Sequence, residues 1–175
     1  MNRKIKIFLA SVLVFFAILI IAITSMFNSE PSLKPIKKLQ DYSFEIFYPQ
    51  HLMFDSKSLD GEYYMVNFMA SWCGHCIEEI SYINSLKTKI PVKYIAIVVS
   101  DSEDNIKELF KYMKNPFDMI GFANQFVSYN FGNFSLPQNF IVNKKGEIIF
   151  KHTGVISKAQ FEEQIIPFLD EAIRE

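Results

Sequence analysis

Two short apolar runs, Tyr63–Met69 and Val92–Val99, constrain this chain more than any other feature. The first is interrupted only by Asn67 and the second only by Lys93. Runs of this length without polar alternation are the pattern of strands buried on both faces, and such strands pair in parallel. Parallel neighbours need a crossover. Between the runs, Cys76, Ile77, Ile80, Ile83 and Leu86 mark one apolar side of a helix. Strand, helix and strand make a βαβ unit, which predicts an α/β fold with a central sheet and helices on both faces.

The flanking sequence extends that unit. Tyr42–Tyr48 alternates enough for a first, peripheral strand, and Asp55–Gly61 is a turn-rich connection ending in Asp60-Gly61. A second helix is predicted over 103–114 from Ile106, Leu109, Phe110 and Met113, capped by Asp101 or Ser102 and stopped by Asn115-Pro116. Residues 117–135 are aromatic-rich and irregular, with a short helix around Ala123–Ser128. Gln138–Val142 and Glu147–Lys151 read as a hairpin joined by Asn143-Lys144-Lys145-Gly146. A last helix starts at Ser157, which with Gln160 has the spacing of a capping box. Pro167 kinks that helix, because proline removes the bond to residue 163.

The N-terminal part has a different character. No charged residue occurs from Ile7 to Phe27, and 21 helical residues at about 1.5 Å each reach about 31 Å, enough for a bilayer core. A cleaved signal peptide is the alternative, but its apolar core is shorter, and Ala22-Ile23-Thr24 is a poor cleavage match. Arg3, Lys4 and Lys6 precede the span, which orients residues 1–28 as a single-pass anchor of the cytoplasmic membrane. The polar, proline-containing segment 29–41 then reads as a tether, and 42–175 as a domain on the periplasmic side. Without those three cations the chain has 15 Lys and Arg against 19 Asp and Glu, a balance that argues against nucleic-acid binding.

Both cysteines of the chain, Cys73 and Cys76, fall between the first buried strand and its helix. Cysteines three apart at a helix start can close and reopen a small disulfide. Cys73 stands where unpaired backbone N–H groups and the helix dipole favour an anion, and the thiolate is the nucleophile of disulfide exchange. Cys76, one turn inside, is shielded until it attacks the mixed disulfide. A structural disulfide gains little from so tight a loop. A zinc knuckle needs two more ligands, and only His51, His75 and His152 supply imidazoles. The pair itself serves as the redox centre, with no further cofactor and no resident metal.

Met65-Val66-Asn67-Phe68-Met69-Ala70-Ser71-Trp72-Cys73 with Gly74-His75-Cys76 resembles the active-site signature of membrane-anchored thioredoxin-like proteins. These are the TlpA, ResA and CcmG (also called DsbE) thiol–disulfide oxidoreductases. Leu136-Pro137-Gln138-Asn139-Phe140-Ile141-Val142, Lys145-Gly146-Glu147-Ile148 and Lys151-His152-Thr153-Gly154 resemble the family's proline loop, hairpin and closing segment. The resemblance covers residues 42–172 and implies a thioredoxin fold, with Cys73 attacking and Cys76 resolving. It implies that Pro137 is a cis-proline facing the disulfide and that Leu136 pairs with a partner peptide. Trp72, Gly74, His75 and Glu79 become candidates for tuning the couple; for Glu79, a solvated helix glutamate is the alternative.

The sequence departs from the family at several places. Asn67 stands where thioredoxin has a buried aspartate, Ser81 where a proline is common, and Gln138 where the cytochrome c maturation members often have glutamate. The Gly74-His75 dipeptide is that of protein disulfide isomerase, whose potential is about 90 mV, or roughly 4 kcal/mol, more oxidising than thioredoxin's. The resemblance implies cysteine-containing protein substrates, including apocytochrome c thiols before haem attachment, and a membrane redox partner. A disulfide-forming or isomerising protein is the alternative of the same class. A copper-delivery protein with Cys73, Cys76 and a histidine as ligands is the alternative of another class, although such proteins usually separate the cysteines by three residues.

Overall fold

The computed structural model describes residues 12, 14–20, 35–132, 135–167, 169 and 170. The chain divides into two compact units, Met1–Leu33 and Lys34–Glu175. In the first, residues 14–20 are helical, with Val14, Phe15, Phe16 and Ile18 exposed. Among the described residues no helix is long and apolar enough to cross a membrane. Most of the 7–27 span lies outside the described residues.

The second unit is built on an eight-stranded mixed sheet. Its strands are β1 Lys37–Lys38, β2 Ser43–Tyr48, β3 Leu52–Asp55, β4 Tyr64–Met69, β5 Lys93–Val98, β6 Met119–Phe122, β7 Gln138–Val142 and β8 Glu147–Thr153, in spatial order β1-β8-β7-β4-β5-β6-β2-β3. β4 and β5 are parallel neighbours, with Asn67 opposite Ala96, and β6 continues the parallel set. β7 and β8 form the antiparallel hairpin, and β7 runs antiparallel to β4 on its other side. All six residues of β4 are buried, which is why its sequence shows no alternation.

Helices α1 Gly74–Lys89, α2 Glu103–Tyr112 and α3 Gln125–Phe131 connect the strands. α1 buries Cys76, Glu79, Ile80, Ile83 and Leu86, the stripe of a helix lying on a sheet. Ser102, rather than Asp101, caps α2: its side chain accepts from the Asn105 amide at 3.2 Å. α3 begins at the Asn124 cap and ends at Gly132, whose φ of 65° is the left-handed conformation of a helix stop. Side-chain alternation separates the two faces of the sheet. Asn67 and Asn139 face α1, whereas Val66, Phe68, Phe140 and Val142 pack with Val127 and Phe131 of α3. Rings of Phe68, Phe131 and Phe140 meet edge to face at 5.2–5.7 Å in the centre of that core.

The structure adds three strands to the sequence reading. β3 and β6 have only four residues each, too short for a periodicity to show. β6 fits because of Gly121: a Cβ there would stand 2.4 Å from the Glu45 carbonyl oxygen and 2.7 Å from the Phe44 ring. The end of the segment read as a tether joins the sheet as β1, where Ile36 N–H donates to Ile148 O at 2.7 Å and Leu39 N–H to Gly146 O at 2.9 Å. The last helix begins as α4 Lys158–Gln160, with the Ser157–Gln160 capping box formed in both directions. It widens at once into a π-helical stretch, Phe161–Ile165, where Ile166 N–H donates to Phe161 O. The wider turn precedes Pro167, whose ring has to avoid the carbonyl of residue 163.

The central aromatic cluster predicts a large penalty for truncation. Phe140→Ala should lower unfolding free energy by about 3–5 kcal/mol in urea titration, the usual range for a buried phenylalanine. A loss below about 1 kcal/mol would mean that the Phe68, Phe131 and Phe140 rings are not the core of the sheet.

Candidate active site

The site is assembled where β4 ends. Past Met69 the chain leaves the sheet and turns into α1, and a loop after β5 holds that turn in place. Ser71 N–H donates to Asp101 Oδ2 at 2.6 Å, and the Trp72 indole N–H donates to the Ser100 carbonyl oxygen at 3.0 Å. Ser100 takes φ 51°, a left-handed conformation uncommon outside glycine, and so presents that carbonyl to the indole. Burial pushes the Asp101 carboxyl up, but donors from Ser71, Asn105 and Ser102 prevail and hold it below the usual range. The indole itself remains 62% exposed beside the first cysteine.

Cys73 is the N-cap of α1, and a disulfide joins it to Cys76, with Cα atoms 5.2 Å apart. Cys73 Sγ accepts a hydrogen bond from the Cys76 backbone N–H at 3.2 Å. The helix N-terminus therefore donates to the outer sulfur, as the sequence position requires. Cys73 is 8% exposed and Cys76 2%, so the outer cysteine is the accessible one. An open groove runs past it, lined by Trp72, Cys73, Gly74, His75, Val99, Ser100, Ser128, Ser135 and Leu136. The Leu136–Pro137 peptide bond is cis, and Pro137 O accepts from Gly154 N–H at 2.9 Å. The structure thus brings Trp72, Cys73, His75 and Leu136 to one groove.

Glu79 is buried completely, so it is not the solvated helix residue that its type would suggest. It lies three residues after Cys76, on the same buried face of α1. Its carboxylate accepts from Asn139 Nδ2 at 2.9 Å on both oxygens, from Asn67 Nδ2 at 3.0 Å and from Ile156 N–H at 2.8 Å. Burial raises its pKa above the ordinary value, and the amide donors of Asn139, Ile156 and Asn67 only partly offset that. Asn139 was not legible as a site residue. Its interruption of an apolar strand, like that of Asn67, gains meaning only when the register sets the two opposite each other.

The remaining candidates are placed less centrally. The His75 side chain is 78% exposed, with Nδ1 3.9 Å from Glu78 Oε2. A Cβ on Gly74 would meet nothing within 4 Å, so space does not demand glycine there. Gln138 is buried at the start of β7 and donates from Nε2 to Thr153 Oγ1 at 2.9 Å, on the sheet face away from Glu79. Among the described residues no group of three or more His, Cys, Asp and Glu side chains is arranged to hold a metal ion.

Comparison with known proteins places this geometry. The Redoxin family profile matches residues 39–165. The thiol:disulfide interchange protein DsbE of Vibrio cholerae serotype O1 is 25% identical over 140 residues, covering 79% of this chain and 76% of that protein. The thiol-disulfide oxidoreductase ResA of Bacillus anthracis is 27% identical over 109 residues, which cover 61% of this chain and 63% of that protein. The crystal structure of a thioredoxin family thiol:disulfide interchange protein from Chlorobium tepidum TLS superposes with a TM-score of 0.64 at 22% identity, covering 80% of this chain and 97% of the other. At that identity the superposition speaks for the thioredoxin fold.

The environment of Glu79 predicts a pH-dependent stability. In the unfolded chain Glu79 ionises near its ordinary value of 4.5, and in the folded chain only at higher pH. Its contribution is complete below the unfolded value and is lost as pH rises through the folded one. Glu79→Gln removes this titration. The unfolding free energy of wild type minus that of Glu79→Gln should therefore fall as pH is raised from 4 through neutrality in urea titrations, about 1.4 kcal/mol for each unit by which the folded pKa is raised. A flat or rising difference would contradict the assignment.

Proposed function

This chain belongs to the Redoxin family and is a thiol–disulfide oxidoreductase, and from there we propose that it exchanges disulfides with cysteine-containing proteins from a membrane-tethered position outside the cytoplasm. The observation that carries the reading is the asymmetry of the pair. Cys73 caps the helix and borders an open groove, while Cys76 lies inward, over a buried carboxylate.

The reductive direction runs in two steps. The Cys73 thiolate attacks one sulfur of a substrate disulfide, forming a mixed disulfide, and the substrate's other sulfur leaves with the electron pair and takes up a proton. Cys76 then loses its proton to the Glu79 carboxylate, and its thiolate attacks Cys73 Sγ. The Cys73–Cys76 bond forms, the mixed disulfide breaks, and the second substrate thiolate leaves and is protonated. Two electrons pass from the pair to the substrate; Glu79 returns the Cys76 proton to the second substrate thiolate, and the first takes from water the proton that Cys73 released on ionising. The exchange needs no bound cofactor, because the electron pair resides in the two cysteines. In the groove, Leu136 offers its backbone to an extended substrate segment beside the sulfurs.

The finer reading follows the resemblance of the motif segments. Apocytochrome c thiols awaiting haem are the proposed substrates, and a membrane redox protein restores the dithiol. The uncharged span 7–27, with Arg3, Lys4 and Lys6 before it, is the proposed anchor that holds the domain on the periplasmic side. A disulfide-forming or isomerising role is the second reading, and Gly74-His75 favours it. An imidazole in the first helical turn adds positive charge beside a thiolate when protonated, which stabilises the reduced pair.

One experiment tests roles and placement together. Cys76→Ser, expressed as the full chain, should accumulate mixed disulfides through Cys73 in the membrane fraction on non-reducing gels, whereas Cys73→Ser should form none and lose exchange. Mixed disulfides carried by Cys76 in the Cys73→Ser protein would reverse the roles. Recovery of the adducts in the soluble fraction would remove the anchor.

A further inference from the structure

Among the described residues, the Asn139 side chain hydrogen-bonds only to Asn67 and Glu79. Its Oδ1 accepts from Asn67 Nδ2 at 2.9 Å, and this fixes the orientation of the amide. The Nδ2 group is thereby aimed at Glu79, reaching both carboxylate oxygens at 2.9 Å. Asn67 uses its two N–H bonds on Glu79 Oε2 and Asn139 Oδ1, so the two amides form one closed set of donors. Ile156 N–H completes it. Every group that hydrogen-bonds to this carboxylate is a donor. Such a shell favours the charged form, in opposition to complete burial, which favours the acid.

We infer that Asn139 is a positioning residue for exchange: its amide holds Glu79 ionised and oriented beneath Cys76, ready to take the thiol proton in the step that resolves the mixed disulfide. This rests on the proposed role of Glu79 as proton acceptor. The β4–β7 register puts Asn139 opposite Asn67, and strand alternation turns both toward α1, one helical turn from Cys76. Among the described residues, the groups around Glu79 are these. α1 contributes Cys76, β4 and β7 contribute only the two amides, the segment before α4 contributes the Ile156 N–H, and β8 places His152 beside Asn139 in register. The His152 ring stacks on Phe150, with Nε2 3.4 Å from Val155 O.

Replacing Asn139 by leucine removes the donors that reach both oxygens while burial is retained. Glu79 then stays protonated to higher pH and cannot accept a proton where the wild type can. The test mixes the reduced full-length protein with excess oxidised glutathione and follows the fluorescence of Trp72, the single tryptophan, which borders Cys73. The phase independent of glutathione concentration reports resolution by Cys76, and its rate is recorded against pH. Asn139→Leu should move the midpoint of that profile upward by about one unit or more, so that resolution is about tenfold slower on the acid side. Asn139→Ser, which keeps one hydroxyl donor, should shift it less and in the same direction, and serves if the leucine variant does not fold. In a Glu79→Gln background neither substitution should move the profile. Midpoints unchanged in both Asn139 variants, with Glu79→Gln altering the profile, would overturn the role of Asn139 and leave that of Glu79 standing. The same shift in the Glu79→Gln background would reduce Asn139 to a packing residue. An unchanged profile in Glu79→Gln itself would overturn the role of Glu79, and the inference with it.

Discussion

β4 is hydrogen-bonded along its length to β5 on one side and to β7 on the other, and both of its faces are covered. This burial fixes everything that reacts. Where β4 ends, the chain turns into α1, which puts Cys73 at the cap and Cys76 one turn inside. The partnership with β5 brings the Ser100–Asp101 loop against Ser71 and Trp72, so the turn is held by the Asp101 carboxylate and the Ser100 carbonyl. The partnership with β7 brings Leu136, at the cis bond to Pro137, into the lining of the groove. A redox pair on a free loop would have none of these restraints; here three strands set the position of two sulfurs.

The same strand sets the electrostatics below the pair. A carboxylate under a helix and against a sheet has lost its water, and that cost would neutralise it if nothing donated to it. Asn67 and Asn139 sit at the one rung where two apolar strands both carry amides, and they face the carboxylate. Neither asparagine can carry a proton itself. In the proposed mechanism two tasks are therefore separate: Glu79 exchanges the proton, and the amides set the pH at which it does so. The outer cysteine is governed by a different influence, the N–H groups of the first helical turn. Two sulfurs three residues apart are thus tuned by different groups.

Much of this was legible in the sequence, for physical reasons that can be named. β4 and β5 were visible because burial on both faces removes polar residues, and α1 because its contact with one sheet face imposes helical spacing. Cys73 was placed by its position before that helix. β3 and β6 escaped because four residues carry no period, and β1 because two lysines at an exposed edge look like any tether. The burial of Glu79 was available in part: three residues after Cys76, it falls on the stripe that Ile80, Ile83 and Leu86 share. Its partners were not available, since Asn139 and Ile156 lie more than fifty residues away and meet it only through strand register and the turn after β8. His75 shows the converse limit. Its type suggested a direct influence on the thiolate, and the fold leaves its ring exposed, near Glu78.

The central claim is that Cys73–Cys76 is a reversible couple rather than a structural link. Its reduction potential, measured by equilibrium with glutathione redox buffers and read from Trp72 fluorescence, tests this most directly. The account predicts a single two-electron transition between about −270 and −120 mV, the span of proteins that exchange disulfides for a living. A potential below about −300 mV, the region of structural disulfides that glutathione does not reduce, would contradict it.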